Sequence, residues 1–139
     1  MRESADEITS HHVQIIAITP ATGSLVGKYI EAYGPYPFQV LGDPNQHAFE
    51  GLGHKVMPKW KLLGMAGIGF LTGKMKDFKP KEADKLAVVN ESMKTSDIYQ
   101  QGGTWLFDRK GNVLWKHIDE TPGDHATIAQ VLQALKKNA

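Results

Sequence analysis

Residues Gln101–Glu120 read QGGTWLFDRKGNVLWKHIDE, and this stretch decides the fold. Thr104 to Asp108 is rich in β-forming residues, and so is Val113 to Ile118. Between them Arg109-Lys110-Gly111-Asn112 predicts a short turn in which Gly111 takes a positive φ. The expected element is a β-hairpin. Trp105, Phe107, Val113 and Trp115 fall in one alternation set, and Leu106, Leu114 and Ile118 in the other. A hairpin apolar on both faces needs cover on both. That requirement places it inside a layered α/β domain.

The rest of the chain reads as what packs on this hairpin. After it, Ala126 to Lys137 predicts a helix with Ile128, Val131, Leu132 and Leu135 on one face. Asp124 or Thr127 is its N-cap, and Lys136-Lys137 complement the C-terminal dipole. At the other end of the chain, residues 2–11 are polar and compatible with helix. Val13 to Ile18 is a nearly continuous apolar run ending at Thr19-Pro20, the pattern of a strand buried on both faces. Ser24 to Tyr33 is helical by spacing, with Thr22 or Ser24 as cap and Gly34-Pro35 as stop. A short strand, Phe38 to Leu41, follows. Asp43-Pro44 then predicts a short helix with proline at its first position and Gln46 completing a capping box. It ends near Gly51 or Gly53. Residues 54–79 mix four glycines with scattered apolar residues and predict an irregular excursion. Pro80 opens another helix, Lys81 to Lys94, with a buried stripe of Leu86, Val89 and Met93.

Length and composition bound the function. A chain of 139 residues predicts a single domain, 1–139, with enough length to bury a core. Net charge is +1, so no overall charge points to nucleic acid or membrane as a partner. The longest apolar run, Leu62 to Leu71, is about half the ~20 residues a membrane span needs. The expected location is cytoplasmic. There are no cysteines, which removes disulfides, thiolate metal sites and cysteine catalysis from this chain.

Other chemistries find little support. His117, Asp119, Glu120, Asp124 and His125 crowd into nine residues, but no helical pair fixes a third ligand, so neither metal nor cofactor is expected. His125 reads instead as a local hydrogen-bonding residue. Gly67-x-Gly69 lacks the third glycine of a dinucleotide loop, and Met75 stands where a phosphate loop needs Ser or Thr. Lysines 55, 59, 61, 74, 76, 79, 81 and 85 form a basic stretch that reads as a solvated face.

The hairpin and closing helix, GGTWLFDRKGNVLWKHIDETPGDHATIAQVLQAL, resemble the C-terminal half of peroxiredoxin-like proteins of the AhpC/TSA family, nearest its peroxiredoxin-like 2 branch. VQIIAITPA and FQVLGDPNQHAFEGLG resemble that family's strand and Asp-Pro segment. The resemblance implies a thioredoxin-like three-layer α/β/α fold with a mixed sheet, N-terminally truncated here. It implies antioxidant thiol oxidoreductase chemistry and, in a full-length form, a thiol reductant partner. In the family a strand leads into a Cys-x-x-Cys-like turn that often continues Cys-Arg-Glu. This chain begins Met1-Arg2-Glu3, and no position matches a family cysteine. A peroxide-reducing site needs a thiolate, so the chain as given is expected to be inactive, with no catalytic residue of its own. A binding or assembly module on the same fold is the alternative. By the resemblance, Thr19, Pro20, Gln101, Gly102, Gly103 and Thr104 are the substrate-proximal candidates. The two glycines also fit a plain tight entry into the strand. Loss of the family's central strand would leave Val13–Ile18 and Thr104–Asp108 as open edges, so a homo-oligomer is expected.

Overall fold

A computed structural model describes residues 1–73, 81–95 and 100–138. A 3-10 turn, Arg2–Ser4, runs into helix α1, Ala5–Thr9. Strand β1, Ile16–Thr19, is followed by α2, Gly23–Tyr33, and by β2, Gln39–Gly42. Three helices come next: α3 (His47–Gly51), α4 (Lys59–Leu71) and α5 (Ala83–Thr95). Strands β3 (Gly103–Phe107) and β4 (Val113–Ile118) form the hairpin, and α6, Ile128–Asn138, closes the order. The described strands make two two-stranded sheets, β1 with β2 and β3 with β4. Pro80, Phe78 and lysines 74, 76 and 79 lie outside the described residues. Among the described residues no helix is long and apolar enough to cross a membrane.

The chain divides into two compact units. One comprises Met1–Ala17, Pro37–Gln39 and Gln101–Ala139. Its hairpin is antiparallel, and Gly111 takes φ +85° as the turn reading requires. Asp108 holds the turn. Its carboxylate accepts from the backbone N–H of Lys110 and Asn112, both at 2.8 Å, and from the Asn112 side chain at 2.7 Å. The Asn112 side chain, then its N–H, hold the Asp108 carboxyl below its ordinary pKa. A register shift between Leu106 and Phe107 sets Leu106 opposite Trp115 and Trp105 opposite Lys116. Simple alternation would have grouped the two tryptophans. The irregularity separates them, because one extra residue reverses which face the following side chains occupy.

Leu106 and Trp115 therefore pack with α6. The core there is Ile8, Val131 and Leu135, with Val13, Ile15, Ile128 and Leu132 against it. Trp105 stacks instead on Phe107 at 6.1 Å, with the Lys116 ammonium 5.1 Å from its ring centre. Phe107, Val113 and Leu114 are exposed, so among the described residues the hairpin is covered on one face rather than two. Helix α6 starts with a capping box. Thr127 Oγ1 accepts from Gln130 N–H at 3.2 Å, and Gln130 Oε1 accepts from Thr127 N–H at 2.8 Å. Its predicted face holds, with Ala134 added to the buried set. The polar N-terminal segment is helical, and its Ile8 is a core residue at 3 % exposure.

The other unit comprises Ile18–Tyr36 and Val40–Gln100. Thr22 caps α2, accepting from Leu25 N–H at 3.3 Å. Helix α2 packs on α5 through Ala21, Leu25, Val26 and Val88, and Lys28 pairs with Glu91 at 2.8 Å. The expected α5 stripe is shifted: Val88 is buried and Met93 is exposed. Asp43 caps α3 as predicted, accepting from His47 and Ala48 N–H at 3.1 and 2.8 Å. The helix nevertheless begins at His47. Pro44 lies before it, and Gln46, at φ +59°, is its N-cap residue rather than the third residue of the helix as the predicted capping box required. Within the expected irregular excursion, Lys59–Leu71 is helical, as α4. Strand β1 is shorter than its apolar run. Ile16 and Ile18 are exposed, because a two-stranded sheet gives them no second covering layer among the described residues.

Trp115→Ala and Leu135→Ala are each expected to cost about 2–5 kcal/mol by opening cavities beneath the hairpin. Trp105→Ala should cost less, because it sits on the opposite face, and Lys110→Ala should change little. Urea-unfolding midpoints check the order, and a Leu135→Ala midpoint equal to the parent would overturn this core.

Candidate functional site

The segment Gln101–Thr104 enters β3, and β4 runs out at Ile118 beside it. The junction is held by backbone and side chain together. Asp119 N–H donates to the Gly102 carbonyl at 3.0 Å, and Gln101 Nε2 donates to the Asp119 carbonyl at 2.8 Å. Asp119 is 4 % exposed, the buried charged residue of the described chain. Its Oδ2 lies 2.6 Å from His125 Nδ1. Its Oδ1 is buried and has no hydrogen-bond partner. A buried carboxylate is costly unless it is paired and bonded, so the imidazole contact is the principal compensation here.

The surrounding residues fix the geometry. A Cβ on Gly102 would stand 2.7 Å from Asp119 Oδ2, so this glycine is needed for close approach rather than for a special backbone angle. His117 Nε2 lies 2.9 Å from the Asp124 carbonyl and 3.7 Å from Asp119 Oδ1. Asp124 Oδ2 accepts from Glu120 N–H at 3.0 Å, which closes residues 120–124 into a tight bend. That bend delivers His125 back to Asp119. The His125 side chain is 72 % exposed. The result is a buried acid that orients an exposed imidazole through Nδ1 and leaves its outer nitrogen, Nε2, toward solvent.

Of the sequence candidates, Gln101 and Gly102 contact Asp119, while Gly103 and Thr104 pair across the hairpin with Ile118 and His117. Thr19 and Pro20 belong to the other unit, at the end of β1, where the Thr19 carbonyl accepts from Asp43 N–H at 2.8 Å. Gly42 is a second close-approach glycine there, its missing Cβ facing the Ala21 carbonyl. Sequence reasoning took His125 for a local hydrogen-bonding residue but missed the burial of Asp119. The only signals were the paired glycines and the Pro-Gly-Asp-His bend. Among the described residues no group of three or more His, Asp or Glu side chains is arranged to hold a metal ion. Tyr29, stacked with Tyr33 and Tyr36, is no acid–base group near neutrality. Burial, then the Tyr36 hydrogen bond, push the Tyr29 hydroxyl up to about 12.

Gly102→Ala and Asp119→Ala are both expected to destabilise the junction, on the order of 1–3 kcal/mol, by breaking the same pair. Gly123→Ala is the control, since a Cβ there meets nothing within 4 Å. Thermal unfolding of the three variants decides it. Equal midpoints for Gly102→Ala and Gly123→Ala would count against the close approach at Asp119.

No curated protein and no solved structure matches the chain. A family model does. Its description is AhpC/TSA antioxidant enzyme, and it matches residues 1–121. The helices and small paired sheets fit the α/β, thioredoxin-like fold of that family. The match spans both units and the Gln101–Asp119 junction, and the chain therefore belongs to the AhpC/TSA family.

Proposed function

We propose that this chain is a peroxiredoxin-like 2 type member serving antioxidant thiol oxidoreductase chemistry with a thiol that its own 139 residues do not supply. The observation that carries the reading is the absence of cysteine in a family whose chemistry runs through a thiolate. Peroxide reduction transfers oxygen to sulfur, and no Ser, Thr or Met here sustains that cycle. The thiol then comes from polypeptide outside this sequence, and a thiol reductant partner regenerates it. The chain contributes the backbone wall Gln101–Thr104. His125, oriented by Asp119, is placed to accept the proton of an incoming thiol at Nε2. Thr19 and Pro20 are assigned to the substrate side on the family resemblance alone.

The second reading is a binding or assembly module. The large apolar side chains exposed along α4 favour it, since they have a use in association and none in peroxide chemistry.

The purified chain, given hydrogen peroxide and dithiothreitol, is expected to consume peroxide no faster than buffer. Turnover above the blank, in metal-free solution, would overturn the proposal. Adding the same chain preceded by a Cys-x-x-Cys segment separates the two readings. Gain of peroxidase activity that falls in His125→Ala supports the redox scaffold. Failure to gain any activity favours the assembly module.

A further inference from the structure

Helix α4, KWKLLGMAGIGFL, is apolar on nearly every side and carries no acid. A helix of that kind is normally buried all round. Here Trp60 is 76 %, Leu63 69 %, Ile68 64 % and Leu71 90 % exposed, and Gly64 and Gly67 are exposed with them. At 3.6 residues per turn these six positions fall on one face. Met65 and Gly69, which are half-buried, fall on the opposite one.

The order of the six is symmetrical about the midpoint between Met65 and Ala66. It runs large, large, glycine, then glycine, large, large. A second copy turned by a two-fold axis through that midpoint sets Trp60 against Leu71, Leu63 against Ile68 and Gly64 against Gly67 of the partner. Each large residue meets a large one, and glycine meets glycine where the two backbones cross. A surface that complements itself in this way is what an isologous dimer requires. We propose that α4 is a homodimer contact, packed antiparallel on the same helix of a second copy.

Charge selects the same orientation. Lys61 stands in the first turn of α4 and no acid balances it within the helix. In a parallel pairing the Lys61 of each copy would stand on the same flank as the Lys59 of the other, setting like charges together. In the antiparallel one each Lys61 shares its flank with the partner's Lys61, roughly 14 Å away along the axis, from 1.5 Å per residue. That is beyond the ~8 Å screening length of physiological salt. Each then approaches the C-terminal carbonyls of the partner helix, where a cation is favoured. Size is also adequate. Trp60 alone offers on the order of 150–250 Å². With three further large side chains the stripe supplies most of the roughly 800 Å² per partner of a stable interface. The contact stands apart from the redox reading, and its failure would leave that reading intact.

The glycines make the test specific. A Cβ at Gly64 or Gly67 meets nothing within 4 Å in the monomer, and leucine is the better helix former. The Gly64→Leu/Gly67→Leu variant therefore keeps its thermal midpoint as a monomer and enlarges the apolar stripe, yet it blocks close approach. The parent is expected to sediment as a dimer at micromolar concentration, with the variant dissociating at least tenfold more readily. Because the chain has no cysteine, Trp60→Cys and Leu71→Cys are unique reporters. Oxidising a mixture of the two should yield the 60-to-71 cross-link ahead of either self-link. A monomeric parent, a glycine variant that associates as well as the parent, or dominant self-links would each overturn the proposal. So would binding to phosphatidylserine vesicles by a chain that stays monomeric, which would give the stripe to a lipid surface.

Discussion

The pairing of Leu106 with Trp115 across the hairpin governs the first unit. One irregularity at Leu106–Phe107 puts these two side chains on the face that meets α6 and sends Trp105 to the other side. Everything apolar in that unit follows from the choice. Val131 and Leu135 approach from α6, Ile8 from α1, and Ile15 from the chain leading into β1. The exposed face keeps Trp105 only half-covered, by Phe107 and the Lys116 ammonium. A cation over an aromatic ring contributes modestly when water still reaches it. The hairpin is thus strongly anchored on one face and lightly dressed on the other.

The same hairpin positions the polar junction. Once β4 is fixed in register, Asp119 falls beside Gly102, and the bend at residues 120–124 returns His125 to its carboxylate. Main-chain carbonyls brace the cluster: those of Gly102, Asp119 and Asp124 each hold one contact. An acid held this way orients an imidazole without consuming its outer nitrogen. On the function proposed above, that is a scaffold for a thiol brought from elsewhere. It does not replace the thiol, because a nitrogen base moves protons but cannot take oxygen from a peroxide through a reversible cycle.

The second unit is organised differently. Its core is the α2–α5 contact through Leu25, Val26 and Val88, with Lys28 and Glu91 closing the rim. An exposed ion pair of this kind contributes well under 1 kcal/mol, so the apolar contact holds the helices. Helix α4 has Trp60, Leu63, Ile68 and Leu71 in water. A monomer gains nothing from that arrangement, whereas a symmetric pair of copies would cover the whole stripe.

The sequence alone determined which segments are helix and which are strand at both ends of the chain. Alternating β-formers around a glycine turn, and an apolar stripe behind Thr127, are local signals that need no partner to be read. It also determined the missing thiol, and through its motifs the family. Helix α4 was illegible because it is apolar all round, so no periodicity marks it, and its glycines imitate loop. The α3 start was misread because Asp43 caps His47 and Ala48 across an intervening turn rather than at Pro44. Only the tertiary structure decided which tryptophan is core, since one residue of register shift inverts a strand's faces. Only it showed Asp119 to be buried. Burial belongs to the neighbours a residue acquires from Gly102 and His125, seventeen residues before it and six after, and the run Ile-Asp-Glu carries no mark of them.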